Sequence, residues 1–221
     1  MGTETVIIEN NQVQITGAIV SDYEYSHEIY GEGFYQFFVE IPRLSESVDT
    51  IPIMISERLI NINEDSTGAL ITIKGQYRSY NRHERNVNRL ILYVFAREAE
   101  FLDVDVLIAN PNNNSIMLDG YICKKPNYRK TPLHREICDF ILAVNRPYGK
   151  SDYIPCIAWG RNARFVGELE VGQRLAVQGR VQSREYIKKF SEDMSELRVC
   201  YEVSTSKVEL AKEDKTDEET M

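Results

Sequence analysis

Two halves of this chain spell nearly the same pattern, and that repeat constrains the fold more than any other feature. IPIMI at 51–55 returns as IPCIA at 154–158, and Phe37 in QFFVEI returns as Phe140 in DFILAV. Gly17, Phe37 and Pro52 map onto Gly120, Phe140 and Pro155 with one constant offset of 103 residues. Past the midpoint the register drifts slightly, with Gly75 falling on Gly179 and Leu102 on Leu210. A period this long exceeds a solenoid unit and matches a small domain. The chain therefore reads as two copies of one fold, and differences between the copies should mark function.

In the second copy, apolar and polar residues alternate with period two over 115–124, 136–145, 153–159, 174–184 and 197–210, a strand pattern broken by turn residues. Between the third and fourth runs, 162–169 places Ala163, Phe165, Val166 and Leu169 at helical spacing. Five strands with a helix between the third and fourth is the layout of the oligonucleotide-binding (OB) fold. The first copy repeats it at 11–22, 33–42, 50–55, 69–79 and 89–101, with a weaker helix near 57–61. The expected fold is mainly all-β: two tandem OB-fold five-stranded barrels, each with a short helix between strands three and four. The first barrel takes residues 1–102, a linker rich in Asn and Pro takes 103–115, and the second barrel takes 116–210. The acidic tail at 211–221 is expected to be disordered.

Charge divides along the same line. Net charge is −8 overall, but residues 1–110 carry 8 Lys and Arg against 17 Asp and Glu, whereas 111–210 carry 16 against 12. One copy is acidic and the other basic, so they cannot share anion binding equally. No apolar run approaches the roughly 18 residues needed to span a bilayer, and residues 1–11 lack a secretory apolar region, so the default address is the cytoplasm. The four cysteines, Cys123, Cys138, Cys156 and Cys200, lie in apolar runs without CxxC spacing and read as buried reduced thiols, not as a metal or redox site. His27, His83 and His134 have no Ser, Cys or Asp in catalytic spacing. Neither a cofactor nor catalysis is expected.

The chemistry concentrates in the third and fourth strands of the second copy. In DYIPCIAWG at 152–160, Tyr153 and Trp159 stand six residues apart and share one strand face, while Ile154, Cys156 and Ala158 share the other. Small apolar residues suit a barrel core, which would leave the two aromatics outside; from this strand alone the reverse is equally open. In LAVQGRVQSREY at 175–186, the row Leu175, Val177, Gly179 and Val181 reads as core. The opposite row, Gln178, Arg180, Gln182, Arg184 and Tyr186, is polar and basic and ends in an aromatic ring. Exposed rings among cations suit single-stranded nucleic acid, whose unpaired bases stack and whose phosphates need neutralising. Lys124, Lys125, Arg129 and Lys130 after the first strand, and Lys188 and Lys189 after the fourth, fall in the two loops that OB-folds use for oligonucleotides.

These motifs carry a resemblance. With DFILAVNRP at 139–147, DYIPCIAWG at 152–160 and LAVQGRVQSREY at 175–186 in order and at family spacing, the second copy resembles the bacterial single-stranded DNA-binding protein family from about Ile116 to Leu210. The resemblance implies base-stacking rings at Tyr148, Tyr153, Trp159 and Tyr186, with Arg146 among the basic residues beside them. The first copy departs from it: Thr50 and Ser56 stand where Tyr153 and Trp159 would, leaving Arg78 and Tyr80 on its fourth strand to extend the path. Tyr23, Tyr25, Tyr30 and Tyr35 crowd its first loop and second strand, where packing would serve as well as binding. The resemblance further implies a homodimer holding four barrels and contact with replication or repair enzymes. That family docks partners through an acidic tail with a hydrophobic tip. Here the acidic part is present at Asp217, Glu218 and Glu219 and the tip is missing, so a solubilising tail is an equal reading.

The expected function is sequence-tolerant binding of single-stranded DNA in replication, recombination or repair, without catalysis. Two other classes fit the fold: a protein-interaction adaptor of a primosome or mobile element, and an RNA-binding OB domain of the translation machinery.

Overall fold

The computed structural model describes residues 10–45, 47–84, 87–103, 109–189 and 195–211. The side chains of Glu84, Val87, Tyr148 and Lys189 lie outside that description, as do the expected acidic tail from Lys212 on and the apolar run 104–108 of the linker. Twelve strands and one helix follow in order: β1 Asn11–Ile19, β2 Glu24–Ile29, β3 Glu32–Pro42, β4 Val48–Ser56, β5 Leu70–Glu84, β6 Val87–Phe101, β7 Asn114–Ile122, β8 Asn127–Lys130, β9 Glu136–Asn145, β10 Ser151–Trp159, α1 Gly160–Gly167, β11 Arg174–Lys189 and β12 Ser195–Leu210.

Alternation decides which side of each strand faces inward. Along β7 every second residue is buried, Ile116, Leu118, Gly120 and Ile122 on one side against exposed Ser115, Met117 and Tyr121 on the other. In the first barrel β1 pairs with β5 and β3, β3 with β4, β5 with β6, and β4 with β6 in parallel, so the sheet closes around Ile15, Phe37, Ile53 and Val94. The second barrel repeats each pairing with β7, β9, β10, β11 and β12 around Ile116, Phe140, Ile154 and Val203. Both fourth strands carry a register shift at a repeated glycine, Gly75 and Gly179. A Cβ at either would collide with a backbone carbonyl of the next strand, Phe95 or Ser204, so only glycine permits that approach.

The two barrels join through β1 and β7, which pair antiparallel from Asn11 opposite Leu118 to Ile15 opposite Asn114. A single 12-stranded sheet results, in the order β2-β3-β4-β6-β5-β1-β7-β11-β12-β10-β9-β8. Asn11 and Asn114 brace the join alike. The Asn11 side chain donates to the Tyr77 carbonyl and accepts its N–H, both at 2.8 Å. Asn114 does the same with Val181 at 2.7 and 2.9 Å.

The structure corrects three expectations. Only the second barrel has the helix among the described residues, where α1 buries Ala163 and Val166 and the Glu168 N–H closes onto the Phe165 and Val166 carbonyls. In the first barrel the stretch near 57–61 forms turns. The Asn61 and Asp65 side chains bond the N–H of residues two positions on, at 3.2 and 2.9 Å, and so draw the backbone away from helical bonding, while Ile60 alone fills the core side. Second, β2 and β8 were not anticipated; both are short and exposed throughout, without the alternation that marks a half-buried strand. Third, the cysteines divide: Cys138 and Cys156 are buried, but Cys123 is exposed where the chain leaves β7, and Cys200 is half-buried on the outer part of β12.

Candidate nucleic-acid interface

On β10 the side-chain alternation resolves the question the strand pattern left open. Ile154, Cys156 and Ala158 are buried, while Tyr153 is 46% and Trp159 40% exposed. Six residues of strand separate the two rings by about 20 Å, far enough to serve different bases. Trp159 ends the strand at the start of α1, and its indole Nε1 donates to Ser204 Oγ on β12 at 3.2 Å. One edge of the indole is thereby anchored while the ring stays accessible. Tyr186, 37% exposed, lies on the arm of β11 that runs beyond the barrel, opposite Arg198 of β12.

The cations expected beside these rings divide into two groups. Arg146, Arg78 and Arg180 each pair with a buried aspartate at the seam between the barrels, while each also lines a surface cleft. Asp152, 1% exposed, accepts from Arg146 Nε at 2.6 Å and again from its Nη2, faces Arg78 Nη1 at 3.4 Å, and accepts the Ser79 N–H at 2.6 Å. Arg146 also donates to the Ser79 carbonyl at 3.0 Å, and the Ser79 hydroxyl accepts the Tyr153 N–H at 2.7 Å. The opposite seam repeats this arrangement. Asp49 accepts from Arg43 and, at 3.1 Å, from Arg180; it accepts the Ser183 N–H at 2.8 Å, and the Ser183 hydroxyl accepts the Thr50 N–H at 3.0 Å. The hydrogen bond to Asp152 raises the Arg146 pKa, whereas burial, followed by repulsion from Arg146, lowers that of Arg78; burial likewise lowers Arg180. Gln182, from the same expected outer row, is buried and donates to Glu202 at 2.7 Å. The period-two pattern identified the outward face of this strand but not the first barrel lying against it.

Arg184, Lys124, Lys125, Arg129, Lys130 and Tyr80 stay at the surface. Arg184 is exposed, 3.7 Å from Glu202. Lys124 and Lys125 are exposed after β7. Arg129 and Lys130 fall on β8, not in a loop, with Arg129 Nε on Asp139 at 2.8 Å. Lys188 sits near the end of β11, which also carries Lys189. Tyr148 lies in the short turn Pro147–Gly149 after β9. Tyr80 is exposed on β5 and meets Tyr93 edge-on at 5.9 Å. Because the preceding residue, Ser79, is bonded to residues 152 and 153, the first barrel brings Tyr80 to the second barrel's aromatic strand.

One cluster was not anticipated. The β5–β6 hairpin of the first barrel reaches across to the β11–β12 hairpin of the second, and the cleft between them encloses about 950 Å³. His83, Asn88 and Arg89 line one wall, and Tyr186, Lys188 and Tyr201 the other. The sequence did hold a signal, a local run of Arg82, Arg85 and Arg89 inside an otherwise acidic half. No cluster of His, Cys, Asp and Glu able to hold a metal occurs among the described residues, and none of their helices is long and apolar enough to cross a membrane.

Comparison with known proteins places this geometry. The sequence model of the single-strand binding protein family matches residues 113–210. Single-stranded DNA-binding protein 3 of Listeria innocua is 38% identical over 80 residues, covering 33% of this chain and 50% of the relative. Single-stranded DNA-binding protein A of Bacillus subtilis is 36% identical over 80 residues, covering 33% and 46%. The chain thus spans about half the length of the curated relatives it matches. The crystal structure of the wild-type single-stranded DNA-binding protein from Thermus aquaticus superimposes with a TM-score of 0.72 at 18% identity, covering 94% of this chain and 95% of that one, so the two share the fold along both barrels. The second barrel, residues 113–210, is thus the part of this chain that is similar to the single-strand binding protein family.

Proposed function

We propose that this protein binds single-stranded DNA with little sequence preference, through stacking on the second barrel, and acts by covering the strand in replication, recombination or repair without catalysis. The observation that carries this reading is the outward placement of Tyr153 and Trp159 at the two ends of β10 above a fully buried apolar row. Tyr186, and Tyr148 by its position in the chain, extend the row. Four such rings offer about 1–3 kcal/mol each before ordering costs are subtracted. Arg184, Lys124 and Lys125 are exposed cations beside these rings, and Lys188 and Lys189 lie at the end of β11. The first barrel, residues 1–102, serves mainly as a platform for the second, residues 116–210, and adds Tyr80 and the wall of the inter-hairpin cleft. By analogy with the family, two chains associate to give four barrels.

Trp159 is the only tryptophan in the chain, so its fluorescence reports on this site alone. Addition of oligo-dT should quench it, with affinity falling linearly in log–log form as salt rises. Unchanged emission at saturating oligo-dT would defeat the reading, and stronger binding of RNA than of DNA of equal length would redirect it to an RNA partner.

A further inference from the structure

The two ends of the 12-stranded sheet are equivalent in the repeat and opposite in charge. At one edge stands β2, bonded only to β3; at the other stands β8, bonded only to β9. The acidic end presents exposed Glu24 and Glu28 on β2, while Glu32 at the start of β3 is paired with Arg58. The basic end presents Arg129 and Lys130 on β8 with Arg135 beyond the turn, all exposed. Arg129 is already held by Asp139 and Glu136 by Arg164, and Lys130 and Arg135 are exposed at that tip.

The hairpin tips complement each other in a second respect. Tyr30 is fully exposed, beside the half-exposed Ile29, and occupies a left-handed backbone conformation at φ 52 ahead of Gly31 at φ 77. A two-residue turn of this hand favours Asn, Asp or Gly at its first position, so a tyrosine there is strained and packs on nothing within the chain. At the other end Leu133 is 77% exposed, and the next residue, His134, is also left-handed at φ 58. Tyr30 and Leu133 are separated by the repeat's own offset of 103 residues. Each end of the sheet thus offers an exposed apolar residue at its hairpin tip, with Glu28 nearby at one end and Lys130 and Arg135 at the other.

We propose that copies of this chain associate head to tail, the acidic β2–β3 tip of one docking on the basic β8–β9 tip of the next. The contact joins different surfaces on the two partners, so it repeats along a row instead of stopping at a pair. The bulge between Tyr25 and His27 bends β2 and blocks a continuous strand ladder, so side chains carry the contact: Tyr30 against Leu133, with the carboxylates facing Lys130 and Arg135. On a long single strand such a row would bind cooperatively; that consequence rests on the DNA-binding reading, but the association itself does not.

Sedimentation without DNA tests it. Wild-type protein at low salt should form species that grow with concentration and disperse in 1 M salt, where the screening length falls to about 3 Å. Glu24→Lys/Glu28→Lys and Lys130→Glu/Arg135→Glu should each lose association by about tenfold or more, and mixing the two variants should restore it, because the reversed tips complement each other as the native ones do. Circular dichroism checks that both variants fold. The proposal is overturned if wild type and both variants share one mass distribution at all concentrations. It is overturned equally if the mixture fails to recover, or if Lys130→Glu/Arg135→Glu weakens binding to an oligonucleotide holding one chain while leaving association intact, which would make the basic tip a DNA contact. Glu24→Lys/Glu28→Lys should retain wild-type affinity for that short oligonucleotide. Loss of Trp159 quenching in the wild type would refute the DNA-binding reading and leave the association result standing.

Discussion

Asp152 of the second barrel accepts the backbone N–H of Ser79 of the first at 2.6 Å, and Asp49 of the first accepts that of Ser183 of the second at 2.8 Å. Each aspartate is buried and bonded to arginines from both barrels. The repeat therefore closes on itself: each half supplies a carboxylate to the other's fourth strand. Asp152→Ala should lower unfolding free energy by about 2–4 kcal/mol, because it leaves Arg146 and Arg78 half-buried without their counter-charge. Asp49→Ala should cost a similar amount by urea titration. A loss at one seam only would mean that the two locks are not equivalent.

Tyr153→Ala and Trp159→Ala should each weaken oligo-dT binding by about 1–3 kcal/mol while leaving the thermal midpoint nearly unchanged, since both rings stand outside the core. Thr50→Ala, at the matching position of the first barrel, should do little, because the seam uses the Thr50 backbone N–H and not its hydroxyl. Tyr153→Ala is read by fluorescence anisotropy of a labelled oligonucleotide, which does not depend on the tryptophan. Equal losses at positions 50 and 153 would contradict the assigned division of labour.

Arg89→Glu tests whether the first barrel contributes to the path. Its side chain lines the cleft opposite Tyr186 and Lys188. If phosphate passes there, binding should weaken at every sequence alike, and the slope of log affinity against log salt should shrink by about one. An unchanged slope would confine the path to the second barrel.

Thiol reactivity should sort by position. Burial pushes the Cys138 thiol up to about 11 and raises Cys156 further, so neither should react with an aromatic disulfide until the chain unfolds. Cys123 is exposed, yet partial desolvation raises its pKa as well, so its labelling rate should keep climbing as pH passes 9. For the buried pair the folded pKa lies above the unfolded one. Stability is thus complete below the ordinary thiol pKa and declines as pH rises beyond about 9, where the unfolded chain releases protons that the folded chain retains. Rapid labelling of Cys156 in the native protein would contradict its placement.

How much of this was legible beforehand follows from what a strand pattern encodes. Parity along 153–159 separates Tyr153 and Trp159 from Ile154 and Cys156 because a half-buried strand must alternate, and the fourth strand breaks the tie over which row is the core. The same parity reports that Arg180 leaves its own barrel's core but carries no record of Asp49 of the other barrel, which it meets at 3.1 Å. Arg78 is tied across the seam in the same way, its partner Asp152 lying 74 residues away in sequence, and Arg146 reaches the first barrel at the Ser79 carbonyl. The short strands β2 and β8 escape notice because neither has a buried face, and the turns near 57–61 because Asn61 and Asp65 compete with helical bonds that a few apolar residues cannot defend.

The antiparallel pairing of β1 with β7 has one further consequence. In an assembly of separate subunits such a junction falls apart on dilution, and a mutation changes both sides at once. Here a covalent connection keeps the halves at a high local concentration whatever the abundance of the protein, so a modest junction is sufficient. Each half is then free to change alone, and one could lose its stacking residues and gather negative charge while its neighbour kept the binding surface.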